Sequence, residues 1–204
     1  ELPYRDFWDH KPPLIYLVNA TAIAIGGPSM TSVRVAEKIN AVVATLLIWI
    51  LVYELVQNHA IAFGAALMFL LLNYHPRPFH GGNYCEEFGV PFILLGAFMS
   101  LRASKVSPGH WFLLLGGLAT LVLATACFYK EQFLLSSLVW FGFLIAPRKG
   151  RCWWRHAAIF TAIGLIPLIV FIFWLASQGA LSSWKGVVAY NFVYASLVGL
   201  NEPY

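Results

Sequence analysis

Seven apolar stretches, separated by short polar loops, limit what this chain can fold into. They cover residues 12–25, 39–56, 60–72, 88–101, 111–128, 132–146 and 156–177. Inside a bilayer no water is available to the backbone, so an apolar stretch that enters it must satisfy its own N–H and C=O groups, as a helix does. A hydrocarbon core takes about 20 residues of helix, with about 17 as the lower bound. Segments 12–25, 60–72, 88–101 and 132–146 fall short of that length, so length alone does not decide which of them cross. Composition supports lipid as the solvent. Of 204 residues 60% are hydrophobic and 11% charged, against about 25% charged in a soluble domain. Too little polar surface remains to cover a water-facing globule. The expected fold class is an all-α polytopic membrane protein, with about six transmembrane helices plus one short juxtamembrane or re-entrant helix.

The densest basic cluster is Arg148, Lys149, Arg151 and Arg155, which the positive-inside rule assigns to the cytoplasm. Alternate crossings then put 129–131 outside, 102–108 inside, 74–87 outside, 57–59 inside and 26–38 outside. Segment 12–25 is short and runs into Gly26-Gly27-Pro28, so it reads as the juxtamembrane or re-entrant helix, with 1–11 outside as well. On this topology eight of the nine acidic residues lie outside, with Glu54 inside. The outer face carries mixed, clustered charge, and the inner face is basic. Cys85, Cys127 and Cys152 fall at different depths and follow no metal-ligand spacing, so no disulfide is expected. Residues 1–178 read as part of one transmembrane domain, and 179–204, rich in Tyr, Asn and Ser, as the start of an external segment.

The run Pro3-Tyr4-Arg5-Asp6-Phe7-Trp8-Asp9-His10-Lys11-Pro12-Pro13-Leu14 concentrates carboxylates, cations and a histidine before a proline-started helix. Proline suits a first helical turn, where its missing N–H costs nothing. Lys11 then sits at a helix N-terminus, where the dipole favours anions. A cation there opposes the dipole unless a bound anion such as a phosphate shares the site. The alternative from spacing alone is a solvated loop with aromatic interface anchors.

This run resembles the first external loop of bacterial membrane glycosyltransferases of the C superfamily, relatives of protein O-mannosyltransferases and of the transferase that adds aminoarabinose to lipid A. The resemblance continues at Arg34, at Tyr84-Cys85-Glu86-Glu87-Phe88 and at Tyr129-Lys130-Glu131-Gln132, and so spans most of the chain. It implies a polyprenyl-phosphate sugar as donor, with Lys11, Arg34 and Lys130, joined by Arg5, as ligands of the donor phosphate. Fixed cations stabilise a leaving phosphate as it gains charge. It also implies a principal catalytic Asp upstream of the Pro-Tyr-Arg-Asp stretch, with Asp6 and Asp9 in support. A second acidic position falls on Glu86 or Glu87, with Glu86 favoured. Cys85 stands where the family often has Thr.

The implied reaction is inverting transfer of a hexose or pentose to a hydroxyl of a lipid, glycan or protein. It takes place on the extracytoplasmic side of a bacterial inner membrane, with the bilayer as partner and no nucleic acid. No cofactor is expected. The spacing of His75, His80 and Cys85 matches no metal-ligand signature, and that loop, with Pro76, Pro78, Gly81 and Gly82, reads as a turn region. The competing classes are a polytopic transporter or lipid flippase, and a scaffold without chemistry. A transporter would place ionisable groups near the midplane and show internal repeats. Here the charges gather at helix ends and no repeat is visible.

Overall fold

The structure, a computed structural model, describes residues 3–6, 11–73, 84–146 and 153–201, with side chains up to 190 and at Val193. Asp9, His75, His80, Arg148, Lys149 and Arg151 lie outside the described residues. Eight helices are present among those described: α1 Leu14–Gly26, α2 Met30–Val56, α3 His59–Asn73, α4 Cys85–Lys105, α5 His110–Ala126, α6 Phe133–Ile145, α7 Trp153–Ser177 and α8 Leu181–Asn201. The fold is all-α, as the apolar segments require.

Local sequence sets the reversals. Ser29 caps α2, its Oγ accepting the Ser32 N–H at 3.4 Å, as short hydroxylated residues do at helix starts. Gln57 ends α2 in the left-handed region at φ 56. Asn58 then caps α3, accepting the Ala60 and Ile61 amides at 2.9 and 3.2 Å. This two-residue link folds α3 back along α2, with His59 stacked on Tyr53 at 4.2 Å between ring centroids.

Two buried clusters mark opposite ends of the bundle. Ile15, Cys85, Phe88 and Tyr129 form one, with Phe133 packed against it. Ala103, Phe112, Leu144 and Phe160 form the other. Helices α4 and α6 each contribute to both, and α5 leads from Phe112 in the second to the loop carrying Tyr129 in the first, so the three run the length of the bundle in alternating directions. Helix α7 runs from Phe160 to Leu175, where Tyr4, Ala180 and Val187 cover it. Helix α2 meets α4 twice. Asn40 reaches the Glu87 carbonyl at one end, and Glu54 pairs with Lys105 at 2.7 Å and Arg102 at 3.4 Å at the other. Close packing between these helices relies on small residues. A Cβ at Gly96 would stand 2.5 Å from Leu123 Cγ, and one at Gly116 2.5 Å from Phe160 Cζ.

Large apolar side chains such as Leu135, Val170 and Phe173 point outward and are 72%, 62% and 71% exposed, a surface suited to lipid. Three helices, α2, α4 and α7, are long and apolar enough to cross a membrane; α3, α5 and α6 are shorter apolar helices. These helices and this apolar surface mark a multi-pass membrane protein.

Helix α1 lies beside the bundle. Its Leu17, Val18 and Ile25 face Val35 and Ile39 of α2 across a shallow cleft. That part of α2 precedes Asn40, so α1 stays at the Glu86 end. One helix boundary differs from the sequence reading. Helix α2 starts at Met30, where hydropathy started the segment at 39, and its added turns carry Arg34, Glu37 and Lys38. Residues 181–201 form α8, which packs on Leu175 through Ala180 and Val187.

Candidate functional site

The end of the bundle around Ile15, Cys85, Phe88 and Tyr129 collects the beginnings of three helices. At α1, Pro12 and Pro13 lead in, and the Leu14 N–H donates to the Phe128 carbonyl at 3.3 Å. That bond ties the helix start to the loop between α5 and α6. At α4, the Tyr84 N–H donates to the Glu87 carboxylate at 3.2 Å, the return arm of a capping box. At α6, the Phe133 N–H bonds the Lys130 carbonyl at 3.1 Å, closing the turn Lys130–Phe133. Helices α4 and α6 press together there with no room to spare. A Cβ at Gly89 would fall 2.1 Å from Phe133 Cε2.

Charged side chains sit on this frame. Lys130 Nζ pairs with Glu86 Oε1 at 2.9 Å, the side chains 29% and 42% exposed. Burial draws the Lys130 ammonium down, but the hydrogen bond and charge of Glu86 outweigh it, so its pKa is raised above the ordinary lysine value. Lys130 and Lys11 both act electrostatically on the Cys85 thiol at the start of α4. The Lys11 carbonyl accepts the Tyr4 hydroxyl at 2.6 Å. Tyr4 is 3% exposed, wedged on Leu175, Ala180 and Val187, and takes φ 67. The loop is thereby fastened to the α7–α8 turn. Arg5 forks onto Asp6 at 2.7 and 3.0 Å beside it.

A groove of about 680 Å³ opens at Lys11, Pro12, Pro13, Glu131 and Trp184. Its walls are apolar, with Leu123 and Cys127 at α5, Leu134 and Phe141 on α6, Gly164 and Leu168 on α7, and Val187 on α8. Helix N-termini carry the positive end of the backbone dipole and present free N–H groups. Lys11 and the start of α1 at the head of an apolar groove, with the Lys130–Glu86 pair next to its Glu131, suit an amphiphile with an anionic head and a hydrocarbon tail.

Residues 10–176 match the dolichyl-phosphate-mannose-protein mannosyltransferase family. The chain belongs to that family. It is a membrane glycosyltransferase of the C superfamily type. No curated protein and no solved structure matches it.

Within this mannosyltransferase family member, the residues expected from the sequence separate into two groups. Glu86 and Lys130 pair directly; Lys11 lies at the start of α1 within electrostatic reach of Cys85, with Arg5 and Asp6 on the adjoining loop. Arg34 lies on the outer extension of α2, with its Nη1 on Glu37 at 2.9 Å. Glu87 is committed to the start of α4 through Tyr84. Asp9 lies outside the described residues. Sequence reasoning passed over Tyr4, Glu131 and Asn40. Tyr4 and Glu131 stand inside motifs already singled out, and Asn40 is the polar residue that opens an apolar stretch. Among the described residues, no three His, Cys, Asp or Glu side chains gather as a metal site requires.

Proposed function

We propose that this chain carries the donor site of an enzyme that transfers a sugar from a polyprenyl phosphate to a hydroxyl acceptor, on the extracytoplasmic side. The observation that carries the reading is the apolar groove headed by Lys11, the start of α1 and Glu131, with Lys130 in the adjoining turn paired to Glu86 at the start of α4. The phosphate lies at the mouth of that groove, and the prenyl chain runs down between α5, α6 and α7. Lys130 exchanges Glu86 for the phosphate when donor binds, and Lys11 adds a second cation. Both are point charges on flexible stems, suited to following a phosphate as its charge grows.

In the transfer, the acceptor oxygen bonds to the anomeric carbon while the bond from that carbon to the phosphate oxygen breaks. The electron pair leaves with the lipid phosphate, whose negative charge the lysines and helix ends stabilise. The hydroxyl proton passes to a carboxylate. Glu86, released from Lys130, orients the acceptor, and Asp6 and Asp9 support it from the loop. Arg5 and Arg34, on the same face, draw the anionic donor toward the mouth. No cofactor or metal enters this scheme.

The test uses the full-length protein in membranes and measures release of polyprenyl phosphate from labelled polyprenyl-phosphate mannose and related lipid-phosphate sugars. Lys11→Ala and Lys130→Ala should each lower turnover by about 10²-fold, the scale of a lost transition-state electrostatic contact, with normal insertion. Unchanged turnover in both would refute the donor site. Absence of turnover with every lipid-phosphate sugar would instead favour transport of such a lipid.

A further inference from the structure

Helix α4 does not stop at Pro91 but continues through it to Lys105. Proline has no N–H, so residue 91 cannot bond the carbonyl four residues earlier. That carbonyl belongs to Glu87, in the first turn of α4. At the edge of a bilayer an unmet carbonyl is costly. Asn40 of α2 meets it, as its side-chain Nδ2 donates to the Glu87 oxygen. Asn40 is flanked by Ile39 and Ala41, and a polar side chain in such a stretch is retained when it has a partner to satisfy.

The same turn carries Glu86. Its neighbour Glu87 is held by its N–H and carboxylate to Tyr84, both at 3.2 Å, and by its carbonyl to Asn40. On another side the turn is pressed by Phe133, which leaves no space at Gly89. The turn is thus fixed between α2 and α6, and Glu86 faces Lys130.

We propose that Asn40 is a positioning residue: it supplies the hydrogen bond that Pro91 withholds, and so holds the first turn of α4 in the setting that puts Glu86 against Lys130. Asn40 has this role only if Glu86 and Lys130 belong to the donor site proposed above. Nothing requires Asn40 to touch the substrate.

The experiment measures kcat/KM for polyprenyl-phosphate mannose with the full-length protein in membranes, normalised to inserted protein. Wild type is compared with Asn40→Ala, Asn40→Asp, Glu86→Gln, Lys130→Ala and the double variant Asn40→Ala/Glu86→Gln. Asn40→Asp keeps the volume and loses the donor, so both Asn40 variants should fall about tenfold, the scale of one such bond. If Asn40 acts through Glu86, its removal costs nothing further once Glu86 is replaced, so the losses will not multiply. Pro91→Ala returns a backbone donor to the Glu87 carbonyl and should recover most of the activity lost in Asn40→Ala. Should Asn40→Ala fail to insert, the Glu86 cycle is run in the Pro91→Ala background, where the turn has its own hydrogen bond. Losses that multiply, or an Asn40→Asp enzyme as active as wild type, would overturn the positioning role while leaving the donor site standing. Full turnover in Glu86→Gln and Lys130→Ala would remove the site and this role together.

Discussion

Gly89→Ala places one methyl group where α4 and α6 are closest. The added Cβ would lie 2.1 Å from Phe133 Cε2, 2.8 Å from Cδ2 and 2.9 Å from Cζ, all far inside a carbon–carbon contact of about 3.5–4.0 Å. The clash involves a rigid ring at the first residue of α6, so relief means swinging the ring out of the cluster or moving α6 away. Overpacking of this kind costs about 1–3 kcal/mol. Because Phe133 closes the turn that begins at Lys130, part of that cost falls on the Glu86–Lys130 pair. If all of it were felt in donor turnover, the loss would be about 5- to 150-fold. The assay is twofold: the heat-inactivation midpoint in detergent, and turnover of polyprenyl-phosphate mannose in membranes. Phe133→Leu in the Gly89→Ala background removes the ring edge and should restore much of both. A Gly89→Ala protein with unchanged midpoint and turnover would refute the claim that this contact sets the site. So would a loss that Phe133→Leu does nothing to repair.

The raised pKa of Lys130 fixes a sign. The ammonium that its pairing with Glu86 needs is fully present below the unfolded lysine value near 10.4, and is lost as pH rises through the folded value above it. Donor turnover should therefore show no alkaline loss from this group below about pH 10; a limb near pH 8 that disappears in Lys130→Arg would contradict it. At the opposite end of the bundle, Glu54→Gln removes the pair to Lys105 and Arg102, whose side chains are 56% and 55% exposed. Screening at such exposure limits the cost to about 1 kcal/mol, a fall in midpoint of about 2–4 °C. Turnover per inserted molecule should be unchanged, and a loss there would contradict a site at the Lys130 end.

The helical, lipid-facing fold was legible because bilayer burial turns hydropathy directly into helices. The start of α2 was not, because Arg34, Glu37 and Lys38 interrupt the apolar pattern. What continues the helix there is the Ser29 cap and the Arg34–Glu37 pair one turn apart, features of a helix outside lipid. The same pair accounts for Arg34: order along the chain marks it as a basic position, but the side chain across the turn takes its guanidinium. Between Glu86 and Glu87 the resemblance favoured Glu86, without a physical reason to set Glu87 aside. Tyr84, three residues before Glu87, carried the signal that separates them, since an acid at that spacing folds back on the amide at the start of the helix. Pro91 likewise announced that the Glu87 carbonyl would lack a donor. That Asn40 would supply it could not be read, because nothing in the sequence says α2 lies against α4. The start of α1, which follows Lys11, and the loop that carries Lys130 are far apart in the chain and are joined by the bond between Leu14 and Phe128, a contact no local pattern encodes.

The groove also bears on how a substrate arrives. Its walls on α6 and α7 belong to helices that make little contact with each other, so in a bilayer its flank would open toward the hydrocarbon and its head, at Lys11, toward water. On the proposed reading, a prenyl-chain donor reaches the lysines by sliding sideways within one leaflet, with its tail never leaving oil. The concentration that governs occupancy is then a surface density, the mole fraction of donor among the surrounding lipids. Diluting the donor with inert phospholipid should slow the enzyme even when the amount per millilitre is held constant. Added detergent micelles should do the same by thinning out that two-dimensional pool.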